Sequence, residues 1–170
     1  MSDTDHTGAG RYTLTVDGDG GLEMQGGGGR RFAFRPAPGG WTVQGSGSGS
    51  PRRLIRRPDG VMILEEERDG GHLMATWTPV QTGMPAVSGG TVLLADGDLF
   101  QVLDRPGPVH GYDLVGWQGG GAYFATGSGD GSLQLVIHPA GQALLEEDRG
   151  EVVLAIFVAV AAGLWSVQQD

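Results

Sequence analysis

VVLAIFVAVAAGLWSV, residues 152–167, runs for sixteen positions without a charge near the end of a chain otherwise made of short apolar segments and glycine turns. A helix that is apolar on every side belongs in a protein core or a membrane. The residues before it are therefore either its container or the cargo of an anchor. Sixteen residues far exceed a usual strand of about 5 or 6. Asp148 and Glu151 suit a helix N-terminus. Ala155, Ala159, Ala162 and Gly163 fall on one helical face, and Gln168, Gln169 and Asp170 give a polar end. Spanning a membrane takes roughly 20 apolar residues, and neither lysine nor arginine follows the run. The stretch is predicted as the central helix of a protein core, with a tail anchor as the rival reading.

Working outward, the body of the chain reads as β. Short segments with alternating or β-branched apolar content recur between turn signals: 11–16, 31–36, 41–44, 52–57, 61–67, 72–78, 91–95, 99–104, 111–116, 122–126, 132–138 and 142–148. The aspartate–glycine pairs 17–18, 59–60 and 96–97 supply residues that tolerate the positive φ of tight hairpins. About twelve strands joined by tight turns predict an antiparallel meander.

An internal repeat sharpens this. Residues 51–68 (PRRLIRRPDGVMILEEER) align without a gap on 132–149 (SLQLVIHPAGQALLEEDR) at an offset of 81. The same offset places Gly39-Gly40-Trp41-Thr42-Val43 over Gly120-Gly121-Ala122-Tyr123-Phe124, and brings the serine–glycine runs 45–50 and 126–131 together. Beyond the matched region the first half continues as His72–Thr78, alternating like a strand, and the second as the apolar run. The expectation is one domain over residues 11–170, with half-repeats of about 11–80 and 91–170 and a flexible N-terminus at 1–10. Its fold class is mainly β: a closed antiparallel barrel of about twelve strands around a central hydrophobic C-terminal helix.

The segment Leu144-Leu145-Glu146-Glu147-Asp148-Arg149-Gly150-Glu151, leading into Val152–Val160, resembles the final strand and helix of the tubby C-terminal-like superfamily. That superfamily includes the tubby domain, the phospholipid scramblases and the LURP-one-related proteins, and the likeness extends over nearly the whole chain from Arg11 onward. It implies a barrel closed around the helix, and, by similarity to the tubby domain, binding of phosphoinositide through basic residues on the barrel. The chain differs from the scramblases in having no proline-rich N-terminal arm and no cysteine, which argues against lipid scrambling.

Composition narrows the functional classes. With 170 residues, 39% of them hydrophobic, the chain suits one domain with a real core. The absence of cysteine excludes disulfides, thiolate metal sites and a cysteine nucleophile. The opening MSDTDHTGAG has neither the basic nor the apolar region of a signal peptide, so the expected location is cytoplasmic. A net charge of −9 disfavours nucleic acid as a partner. All 11 basic residues are arginine, and seven of them (Arg30, Arg31, Arg35, Arg52, Arg53, Arg56 and Arg57) fall in a stretch with no acid. Arginine forks match phosphate oxygens, so Arg52, Arg53, Arg56 and Arg57 are the candidate ligand-binding residues for an anionic headgroup or phosphorylated ligand.

Cross-strand pairing is the structural alternative for the same residues. A three-residue loop at Pro58-Asp59-Gly60 sets Arg57 against Val61, Arg53 opposite Glu65 and Arg52 opposite Glu66, leaving Arg56 and Arg57 least accounted for. The other chemistry is sparse. No aspartate–glycine turn is followed by a calcium loop, and His6, His72, His110 and His138 lack zinc spacing. The clusters Glu65-Glu66-Glu67 and Glu146-Glu147-Asp148 recur at one place in both halves, as solvated strand ends do. No phosphate loop, dinucleotide fingerprint or nucleophile elbow is present. The sequence therefore predicts a binding or scaffolding module with no catalytic residues, metal or cofactor. Its expected partner is an anionic membrane surface or, alternatively, another protein; an enzyme built on the acidic clusters is the weakest reading.

Overall fold

The computed structural model describes residues 10–16, 20–26, 31–45, 51–67, 71–79, 89–105, 111–116, 122–128, 133–147 and 149–164. Among the described residues, twelve strands are followed by two helices. The strands are β1 (Gly10–Val16), β2 (Leu22–Gly26), β3 (Arg31–Ala37), β4 (Gly40–Gly45), β5 (Arg52–Arg56), β6 (Met62–Glu66), β7 (His72–Pro79), β8 (Gly89–Leu94), β9 (Leu99–Arg105), β10 (Gly111–Gly116), β11 (Ala122–Ser128) and β12 (Leu133–Ile137). The helices are α1 (Pro139–Leu145) and α2 (Gly150–Ala161). Each strand pairs antiparallel with its neighbours in sequence, and β1 pairs with β12, closing the barrel.

Alternation decides what faces inward. Leu22 and Met24, Phe32 and Phe34, Trp41 and Val43, and Met62 and Leu64 are buried, while the residues between them lie on the outer face. The space they enclose is filled by α2, in which every residue from Val152 to Val160 is buried. At about 1.5 Å per residue, twelve residues make a helix about 18 Å long, close to the length of a five- or six-residue strand. The helix thus runs the depth of the barrel. Phe157 meets Phe124 of β11 with ring centroids 5.7 Å apart. None of the described helices is long and apolar enough to cross a membrane.

The barrel, the central helix and most strand positions agree with the sequence expectation; two elements differ. Of residues 142–148, expected as a strand, 142–147 belong instead to α1 and the turn after it. Leu22–Gly26 is a strand that was not expected. The total of twelve therefore agrees although two elements differ. The first difference has a local cause. At the 81-residue offset, Arg57-Pro58-Asp59-Gly60-Val61 stands over His138-Pro139-Ala140-Gly141-Gln142. In the first half Asp59 Oδ1 accepts the Val61 N–H at 3.1 Å, Gly60 takes φ +90°, and the Arg57 N–H bonds to the Val61 carbonyl, closing a hairpin. In the second half Ala140 has no acceptor to bend the chain back. Pro139 opens a helix, as proline does in a first turn, and the bond reverses: the Gln142 N–H donates to the His138 carbonyl at 2.9 Å. β2 went unexpected because its alternation, Leu22 and Met24 inward against Glu23 and Gln25, spans only five residues beside glycine runs.

The repeat holds where it was drawn from strands. Adding 81 to Arg52–Arg56 gives 133–137, the bounds of β12. The pairing slides, however. Thr42 faces Arg53 in the first half, whereas Gln134, the counterpart of Arg53, faces Gly127 and not Tyr123. Where the first half has β6 and β7, the second has α1 and α2.

Both ends of α2 also differ in detail from expectation. Its N-cap is Arg149, without a side-chain capping bond. Asp148 lies outside the described residues, as do the Asp17-Gly18 turn and the polar end 168–170. Gly163, expected on a small-residue face, has φ +80° just past the helix and donates its N–H to the Val160 carbonyl. It stops the helix in the manner of a glycine at the first position beyond the C-cap.

Candidate functional site

β5 and Arg57 just after it carry the candidate arginines, and the pleat divides them. Leu54 is fully buried, so Arg52 and Arg56 share its inward face, while Arg53 and Arg57 point outward. Four residues of strand set Arg52 and Arg56 about 13 Å apart along the barrel. The four arginines therefore do not converge on one patch.

The outward pair is engaged by carboxylates. Arg53 Nη2 lies 3.6 Å from Glu65 Oε1, its expected cross-strand neighbour. Arg57 Nη2 lies 3.6 Å from Asp59 Oδ2 in the adjoining turn. Both arginines are about half exposed, so these contacts are screened.

Arg52 stands opposite Glu66 in register, as expected, but its guanidinium reaches into the barrel mouth and donates from Nη1 to Glu151 Oε1 at 3.0 Å. Those side chains are only 11% and 22% exposed. Gly45 on β4 leaves the room: a Cβ there would stand 2.8 Å from Glu151 Oε1. A second ionic tie holds the same end of α2. Arg149 Nε meets Glu147 at 2.8 Å, and its Nη1 meets Asp96 at 3.4 Å and also contacts Asp98, in the β8–β9 turn. The turn itself is the expected aspartate–glycine hairpin, with Gly97 at φ +98°. A cavity of ≈350 Å³ opens here beside Glu66, His72, Leu73, Met74, Arg149 and Val152, and its arginine is already neutralised.

Arg56 lies at the opposite end, where α2 finishes. It lines a cavity of ≈360 Å³ together with Leu22, Pro36, Trp41, Ala162 and Leu164. Its Nε, like that of Arg52, is buried and has no hydrogen-bond partner. Unlike Arg52, whose Nη1 meets Glu151, its guanidinium has no carboxylate on the described wall of the cavity. A buried donor left unsatisfied costs roughly 1 to 3 kcal/mol, and more when charged. Arg56 is thus a cation aimed into an apolar chamber without a counter-ion among the described residues of its wall.

The remaining candidates do not assemble into a centre. Among the described residues, no group of three or more His, Asp or Glu side chains could hold a metal ion. His138 is the N-cap of α1 and His72 borders the first cavity, while His6 and His110 lie outside the described residues. The apolar wall around Arg56 was not singled out in the sequence, because Trp41 and Leu164 are 123 positions apart (164 − 41). The inward direction of Arg56 was readable from its alternation with Leu54. No protein family, curated protein or solved structure matches the chain significantly.

Proposed function

We propose that the protein is a non-enzymatic binding module that takes an anionic, partly apolar ligand at the end of the barrel where α2 finishes, with Arg56 as its counter-ion. One observation carries the reading: the Arg56 guanidinium, its Nε buried and unpaired, lines a cavity whose other described residues carry no charge. A cavity of this size with apolar walls and a single orienting charge has the features of a small-molecule site. The tubby-like resemblance suggests an anionic lipid headgroup as the ligand. We assign the binding role, among the four arginines, to Arg56, the inward-facing one with no carboxylate partner among the described residues. Arg52, Arg53 and Arg57 have carboxylate partners, and their roles are structural.

Ligand that binds only the folded state raises its melting temperature. Thermal melts with decanoate, decyl phosphate and decanol test the reading. We expect a concentration-dependent rise with at least one of the two anions and a smaller one with the alcohol. No rise with either anion overturns it.

A further inference from the structure

We infer that the ligand of the Arg56 site is a carboxylic acid bearing a single apolar tail, and not a phosphorylated compound. The inference rests on the anion reading above and narrows it by charge and by wall chemistry.

A phosphate monoester carries about −1.5 to −2 charges at neutral pH and three strong acceptor oxygens. Sites that hold one bring several donors or cations to it. Of the described residues lining this cavity only Arg56 is charged. Pro36 has no N–H to offer, the side chains of Val16, Leu22, Ala37, Ala162 and Leu164 present carbon, Trp41 adds one indole N–H, and Gly20, Gly21 and Gly40 present backbone alone. One guanidinium balances one negative charge, and its planar fork matches the two oxygens of a carboxylate. Moving a second negative charge into this chamber would leave it uncompensated, in a protein that already carries −9.

The walls then specify the rest of the molecule. Val16, which also lines the cavity, is 71% exposed, the most exposed of the described large apolar residues. A tail lying from Arg56 toward Val16 would cover it. Each methylene moved from water into such a chamber is worth about 0.8 kcal/mol, which is roughly a fourfold gain in affinity. The gain should stop once the tail reaches solvent.

Titration calorimetry with hexanoate, octanoate, decanoate and dodecanoate, beside the matching alkyl phosphates and alcohols, tests this. Affinity for the acids is expected to rise about fourfold per methylene and then level off. Each acid should bind at least tenfold more tightly than the alkyl phosphate of equal length. Arg56→Gln should abolish the preference for acid over alcohol. Ala162→Phe, which fills part of the chamber and keeps the Arg56 charge, should move the plateau to shorter tails, and it serves as the test should the first variant misfold. Tighter binding of alkyl phosphates than of carboxylates overturns the carboxylate inference and leaves the anion site standing. Alcohols binding as tightly as both anions, or no binding at all, overturns both.

Discussion

The two ends of the barrel receive the same kind of residue from the same strand and treat it differently. Arg52 and Arg56 both face inward from β5. At the start of α2, Arg52 meets Glu151 at 3.0 Å, Gly45 clears space for the carboxylate, and Arg149 ties the helix to Asp96, Asp98 and Glu147. At the finish of α2 there is Arg56, apolar wall and a cavity. A buried charge is tolerated when it is paired and hydrogen-bonded, so the first end is built for holding the helix. The second carries a cation with no carboxylate among the described residues of its wall, and the proposed ligand would supply that counter-ion.

The comparison can be broken most severely in the middle, where both ends depend on one helix. Phe157 is fully buried against Phe124, and Phe157→Ala should cost about 3 to 5 kcal/mol in chemical denaturation. Next comes Glu151→Gln, which strands the Arg52 guanidinium at the barrel mouth. We expect a loss of about 1 to 3 kcal/mol by the same measurement. Arg56→Met should have the opposite sign, since it removes a cation without a partner; the ligand-free protein should gain up to about 1 kcal/mol. Arg53→Gln, on the outward face of the same strand, should change stability by no more than about 0.5 kcal/mol. A similar cost for Arg53→Gln and Glu151→Gln would erase the distinction between the two faces.

The smallest effect is a titration. A hydrogen bond from Gln25 and the Arg31 guanidinium hold the Glu23 carboxyl below its ordinary value. A carboxyl lowered in the folded state contributes stability above its unfolded pKa and loses it as pH falls through the folded one. The Glu23 pair should thus fade only in acid. Because Glu23 lies at the surface, the fade is best seen as a lowered side-chain carboxyl titration by NMR, which Arg31→Gln should return toward the ordinary range.

Much of this was legible in the chain. Pro58-Asp59-Gly60 fixed the β5–β6 register residue by residue, because an aspartate acceptor and a glycine at positive φ admit few turns. The all-apolar 152–160 stretch pointed to a central helix, because it is apolar on every face and too short for the roughly 20 residues of a membrane span. What escaped was decided by single atoms or by distant contacts. Ala140 in place of an aspartate turned an expected strand into α1. Glu151 took Arg52 from a neighbouring helix 99 positions away, which local register could not reveal. The cavity wall draws on β2, β3, β4 and the end of α2, and only the closure of the barrel brings these together.

The most direct test of the binding role sets the two faces of β5 side by side: calorimetric titration of decanoate into Arg56→Gln and Arg53→Gln. We expect Arg56→Gln to lose at least tenfold in affinity while Arg53→Gln binds as the unmodified protein does. Equal affinity in both variants, or a loss confined to Arg53→Gln, would contradict an inward-facing anion site.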